Sequence, residues 1–226
     1  MKKLGKDKLL LVLFYFLLTV ISAFCIFPIL FAVIGSFTSE AEVASHGFRL
    51  FPESLTLDTY KYVFLTQGKK LVNAYKISII NTIAGTAISL FVTITYAYVI
   101  SVRDFKMGNK FAFFAYFTML FNGGLVPTYI NYVNVFHIKD TFWALLIPGL
   151  VTNGFNILLM KSYFASSIPD EIMEAAYIDG ASETQTFLKI AVPLAKPIIA
   201  TIGLFSGIAY WNDWSNGYVY LNKRQD

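Results

Sequence analysis

The sequence predicts an all-α membrane protein, a polytopic bundle of transmembrane helices. Three observations carry that expectation. Of 226 residues, 56% are hydrophobic and only 14% are charged, whereas soluble domains carry about 25% charged residues. The mean hydropathy is +0.59. The apolar residues gather into runs of the length a bilayer demands, about 20 residues each, and the 22 Phe and 14 Tyr suit lipid-facing and interfacial positions.

Five runs qualify as spans: residues 9–37, 71–100, 110–132, 141–163 and 197–221. The first follows Met-Lys-Lys-Leu-Gly-Lys-Asp-Lys and imitates a signal peptide. It exceeds the usual apolar core of about 7–15 residues, and no small-residue cleavage site follows. An anchor helix is the expectation. Pro28 and the glycines within runs are tolerable where neighbouring helices satisfy freed backbone groups. Residues 38–70 are polar, contain Pro52, and predict a small cap. The domain reading is therefore 1–70, with N-terminus, first span and cap, and 71–226, the transmembrane core.

Orientation follows from Lys and Arg, which favour the cytoplasmic side. Lys2, Lys3, Lys6 and Lys8 precede the first span, Arg103, Lys106 and Lys110 follow the second, and Lys161, Lys189 and Lys196 flank residues 164–196. A cytoplasmic N-terminus puts all three groups inside. Arg49, Lys61, Lys69, Lys70 and Lys76 on the other side mix with Glu40, Glu42, Glu53 and Asp58. Five spans then leave Lys223–Asp226 outside.

The chain is organised around residues 167–197, a polar stretch between apolar runs. Ser167 is expected to cap a first helix, with Asp170 and Glu171 in its first turn, where negative charge suits the helix dipole. Asp179-Gly180 ends it, since glycine enters the left-handed conformation freely. Ser182 with Gln185 three residues on has capping-box spacing, and Pro193 and Pro197 are expected to stop the second helix. At 100° per residue, Ile172, Ala175, Ala176 and Asp179 share one side of the first helix, opposite Asp170, Glu171 and Glu174. In the second, Phe187, Ile190 and Ala191 share a face. Such a hairpin suits docking into a groove of a soluble partner; a solvated loop is the plainer alternative.

The string E-A-A-Y-I-D-G-A-S, followed by I-A-V-P-L-A-K-P, resembles the cytoplasmic EAA loop of ABC importer permeases. Glu174, Ala175, Ala176 and Gly180 fall on the motif's named positions, Asp179 lies within it, and Pro193 matches its later proline. In that family the loop is the coupling helix that enters a cleft of the ATPase subunit. Residues 47–60 resemble carbohydrate permeases of the maltose-transporter G-subunit kind, as does T-I-T-Y-A-Y-V-I-S (residues 93–101). F-N-G-G-L-V-P-T-Y (residues 121–129) resembles an oligosaccharide subgroup. The resemblance implies a sixth span, which this sequence does not include. It also implies a second, different permease subunit, two ATPase subunits that bind ATP and Mg, and an extracellular sugar-binding protein. The implied location is a bacterial cell membrane.

Little in the chain could carry covalent chemistry. No Walker A pattern occurs, so the chain itself has no cofactor site. His46 and His137 form no metal-ligand pattern, and Cys25 lies in an apolar run as a small hydrophobe. The polar residues within spans are the better candidates for a substrate pathway. Asp213 in hydrocarbon would cost about 3 kcal/mol, so it should face a cavity or a partner. Trp211, Asn212 and Trp214 beside it suit a sugar, rings against pyranose faces and amides toward hydroxyls; an aromatic belt at the interface is the alternative. The four cannot line one groove unless the helix opens locally. Asn122, with Gly123, Gly124 and Pro127, either interrupts the third span or marks its end. Asn153 and Asn156 either line a pathway or join helices by hydrogen bonds. The expected function is a permease subunit of an ATP-driven carbohydrate importer. The alternative is a secondary transporter driven by an ion gradient, which would need a relay of intramembrane carboxylates or His. A membrane-embedded enzyme or assembly factor is a third class, lacking any catalytic set.

Overall fold

A computed structural model describes residues 2–222, with side chains from Lys8 onward. The charges expected at Lys2, Lys3 and Lys6, and the placement of Lys223–Asp226, lie outside the described residues. The described chain is helical, with one isolated antiparallel bridge between Thr38 and Leu55. It divides into two compact units, Met1–Val72 and Asn73–Asp226.

The first unit holds α1 (Lys2–Ser36) and a small cap. The apolar part of α1, Lys8–Ser36, is long enough to cross a membrane, and its most apolar stretch has no buried residue. Pro28 sits inside it without ending it. The cap begins with α2 (Glu40–His46), whose N-cap Ser39 accepts from the N–H of Glu42 at 3.3 Å. Glu42 then organises the rest. Its carboxylate accepts from the backbone N–H of Glu53 at 2.7 Å, from that of Ser54 at 3.1 Å and from the Ser54 hydroxyl at 2.9 Å. The Glu53 N–H, helped by Ser54 and opposed by partial burial, holds the Glu42 carboxyl below its ordinary value. α3 (Asp58–Lys61) continues as a π-helical turn, Tyr62–Thr66.

The second unit is built on α4 (Gly68–Ser101), which begins at the end of the first and matches the predicted span at 71–100. The three later predicted spans are not continuous helices. The run at 110–132 divides into α5 (Gly108–Leu120) and α6 (Leu125–Ile130), with a π-helical extension to Val135, and the two halves are bent by 115°. Gly124 sits at φ 83, and Asn122 accepts from its N–H at 2.8 Å, which fixes the turn. The run at 141–163 yields only α7 (Trp143–Leu146) and α8 (Gly154–Ser167). Pro148 and Gly149, at φ 73, break it. Two helices are thus long and apolar enough to cross a membrane, or up to four if each bent pair is one span.

Small residues let these helices close on one another, the usual device where lipid removes the hydrophobic drive between helices. A Cβ at Gly85 of α4 would meet the Tyr210 ring at 2.4 Å, and one at Gly154 would meet the Ala115 carbonyl at 2.6 Å. Ala97 and Tyr98 from α4, Met160, Phe164 and Ile168 from α8 and its end, and Ala191, Ala195, Ile198 and Ile202 make the main core. That core lies directly beneath the polar segment that follows α8.

Candidate functional site

After α8 the chain makes a compact hairpin. α9 (Asp170–Ile178) is followed by α10 (Glu183–Thr186), a π-helical turn over Phe187–Ala191, and α11 (Val192–Leu194). Ser167 does not cap α9: it is the last residue of α8, and Pro169 is the N-cap, with no side-chain bond. The dipole is met instead by Asp170 and Glu171 in the first turn. Asp170 also pairs with Arg103, from the connection after α4, at 2.6 Å.

The end of α9 is fixed by its own backbone. Gly180 sits at φ 80. Its N–H donates to the Tyr177 carbonyl at 3.0 Å, and the Ala181 N–H donates to the Ala176 carbonyl at 2.9 Å. That pairing is the Schellman motif, which needs a left-handed residue at the turn. The capping box then forms as the spacing predicts. Ser182 Oγ accepts from the Gln185 N–H at 3.4 Å, and Gln185 Oε1 accepts from the Ser182 N–H at 3.0 Å. Tyr177 ties the two helices by donating to Glu183 at 2.9 Å. Partial desolvation first, then the Glu183 carboxylate, push that hydroxyl up, so it stays a donor across ordinary pH.

Two expectations fail here. Pro193 does not stop the second helix. The π-helical turn precedes it, and the helix continues through it to Leu194. The chain then breaks, bending by 77° before α12 (Lys196–Trp211), with Pro197 in the first turn of α12. The shared alanine face also divides. Ala176 is buried at 7% exposure and Met173 packs on the core, whereas Glu174, Ala175, Asp179 and Gly180 are exposed. Ile178 is 86% exposed. The outward face is therefore Glu174, Ala175 and Ile178, and Met173 seats the helix on the core with Ala176 buried on the inner side. Phe187, Ile190 and Ala191 do turn inward together.

The hairpin rests on Tyr98 of α4, whose ring lies 4.8 Å from Phe187 and 5.7 Å from Phe164. Beside it runs a groove of about 500 Å³, lined by Thr95, Val99, Val102, Phe105, Glu183 and Phe187 among others. Sequence reasoning used Arg103 only for orientation and did not tie it, Tyr98, Tyr177 or Glu183 to the hairpin. The signal available was the aromatic pair Tyr96 and Tyr98 opening the Y-A-Y-V-I-S run, which a purely lipid-facing reading ignores.

The pathway candidates scatter. Asn122 is exposed in the α5–α6 turn, Asn153 is the exposed N-cap of α8, accepting from the Asn156 N–H at 3.1 Å, and Asn156 is buried. The fifth predicted span opens at Asn212–Trp214 before α13 (Ser215–Tyr220). Trp211 and Trp214 are 51% and 75% exposed. Asn212 is exposed and donates back to the Ile208 carbonyl at 3.0 Å. Asp213 is half-buried: one carboxylate oxygen accepts from the Asn216 N–H at 3.2 Å, and the other is buried without a hydrogen-bond partner. Tyr210 and Asn216 lock the break in place. They donate to the Leu146 and Pro148 carbonyls at 2.9 and 3.0 Å.

Residues 110–221 match the family described as binding-protein-dependent transport system inner membrane component. The chain is 42% identical over 202 residues to Protein LplC of Bacillus subtilis (strain 168), covering 89% of this chain and 67% of that one. It is 36% identical over 217 residues to the polygalacturonan/rhamnogalacturonan transport system permease protein YtcP of the same organism, covering 96% and 74%. A crystal structure of a bacterial ABC transporter involved in the import of the acidic polysaccharide alginate superposes with a TM-score of 0.85 at 32% identity, over 96% of this chain and 76% of that one. With the apolar helices, these likenesses mark a bacterial membrane protein and decide against the ion-gradient alternative. The chain belongs to the binding-protein-dependent transport system inner membrane components, the permease subunits of ABC importers.

Proposed function

We propose that this permease subunit carries oligosaccharides inward, with its N-terminus in the cytoplasm and its α9–α10 hairpin docked on an ATPase subunit that binds ATP and Mg. The observation that carries the reading is the hairpin itself. Its central turn is closed by its own backbone and a capping box, Met173 seats it on the core, and it presents Glu174, Ala175 and Ile178 to solvent. An exposed apolar residue on a rigid helix face is the form of a helix-in-groove dock. Asp179 and Gly180 set the turn that fixes its angle.

The mechanism is alternating access. A sugar-binding protein delivers substrate outside, and a second, different permease completes the pathway. Closure of two ATPase subunits moves the hairpin, and Tyr98, packed against Phe187 and Phe164, passes that movement to α4 and α8. The opened break at 212–214 supplies Asp213, with Asn212, Trp211 and Trp214 at its edge, to the inner wall. Asn122, Asn153 and Asn156 are secondary candidates for that wall. The oligosaccharide reading rests on the names of the relatives, polygalacturonan/rhamnogalacturonan and alginate importers.

Purification from native membranes in mild detergent tests this. A Walker-bearing ATPase and a second permease should come down with the chain, and the assembly reconstituted with its binding protein should take up oligosaccharide only with ATP. Recovery of the chain without an ATPase would defeat the reading.

A further inference from the structure

The cap carries apolar side chains that the first unit leaves uncovered. Phe51 is 89% exposed and Phe48 is 58% exposed. Such exposure usually belongs to a mobile loop, but this one is held. Gly47 turns the chain at φ 72, Glu42 fixes Glu53 and Ser54, and the Thr56 N–H donates to the Phe37 carbonyl at 2.7 Å. Arg49 pairs with Glu53 at 3.3 Å, so the tip carries no uncompensated charge of its own.

The tip also folds back. The Phe48 ring lies 6.0 Å from that of Phe31. Gly35 gives it room, since a Cβ there would stand 3.1 Å from the Phe48 ring. Phe31 comes before the last turn of α1, which ends at Ser36. At 1.5 Å per residue its backbone lies about 7–8 Å below the helix end. The loop thus runs beside the last turns of a helix whose most apolar stretch is wholly unburied, and its rings continue that surface.

We propose that residues 48–52 form an interfacial anchor, with Leu50 and Phe51 inserted at the headgroup–acyl boundary of the leaflet where α1 ends. The occupant is the phospholipid of that leaflet. Elements of this kind sit about 5–10 Å into the boundary. Arg49 and Glu53, already paired, add no net charge to the inserted tip. The anchor sets the height of α1 and of the cap, and it stands whether or not the substrate is an oligosaccharide.

Spin labelling tests it in the assembled importer, reconstituted into phosphatidylethanolamine and phosphatidylglycerol vesicles. Cys25, the one cysteine, is replaced by Cys25→Ala. Nitroxides are attached at Phe51→Cys and Leu50→Cys, with Ala44→Cys on the exposed face of α2 as the aqueous reference. At positions 51 and 50, collisions with oxygen should exceed those with a water-soluble nickel chelate, at a depth of about 5–10 Å below the phosphates. The reference should show the reverse. Nickel exceeding oxygen at both tip positions would overturn the anchor. So would labels inaccessible to both reagents, because a protein partner would then cover the tip. If Phe51→Cys does not assemble, the label at position 50 decides.

Discussion

The hairpin around Gly180 and the break around Asp213 are both polar interruptions between apolar helices, and they are finished to different degrees. The hairpin closes its turns locally, with a Schellman closure at Gly180, a capping box at Ser182 and Tyr177 bonded to Glu183, and the buried Thr186 hydroxyl that it leaves without a partner is neutral. What it leaves to a partner is apolar surface, chiefly Ile178. The break is tied down by Tyr210 and Asn216, yet it leaves one oxygen of Asp213 buried and unpaired. A buried acceptor without a donor is costly, and a charged one more so. The hairpin is a rigid shape waiting to be held. The break is a chemical group waiting for a donor, which a sugar hydroxyl or a second permease would supply.

The sharpest way to break the comparison is Asp213→Asn. This substitution keeps an oxygen to accept from the Asn216 N–H while removing the charge. Uptake in vesicles should fall by an order of magnitude or more while the complex assembles normally; at about 1.4 kcal/mol per tenfold, that is the scale of one lost charged hydrogen bond. Dissociation of the complex in detergent would instead make Asp213 a tether to its partner. Gly180→Val tests the hairpin. A non-glycine residue at φ 80 costs about 1–2 kcal/mol, and a β-branched one more, so the turn should reopen and uptake be uncoupled from ATP hydrolysis, with normal insertion. Normal uptake at normal expression would show that the angle of α9 does not matter. Ser182→Ala should have the smallest effect, a loss of about 1 kcal/mol in thermal stability of the hairpin, read by hydrogen exchange across α10, with assembly intact.

The contrast also explains what the sequence made legible. The hairpin's caps are local: Ser182 and Gln185 are three residues apart and Gly180 acts on its own neighbours, so spacing alone found them. Ser167 failed as a cap because α8 runs on through it to the C-cap Ile168, and the signal for that stop was Pro169, two residues on. The alanine face failed for a longer-range reason. Ala175 and Ala176 are successive residues about 100° apart around the helix, and only the packing of Met173 against the core decides which of them turns inward. The spans at 141–163 and 197–221 looked continuous because hydropathy counts side chains: it passes over Pro148 and Gly149, which break the first, and it does not see the bonds from Tyr210 and Asn216 to the Leu146 and Pro148 carbonyls, more than sixty positions away, that hold the two breaks together.

The central claim is that the outward face of α9 docks an ATPase. Disulfide cross-linking in the assembled importer, on a Cys25→Ala background, tests it most directly. Ile178→Cys, at a site 86% exposed, should cross-link to cysteines placed along the cleft of the ATPase subunit, and ATP should change the yield. Ser166→Cys, on the last turn of α8, should not. Cross-linking from Ser166→Cys but none from Ile178→Cys would contradict the account.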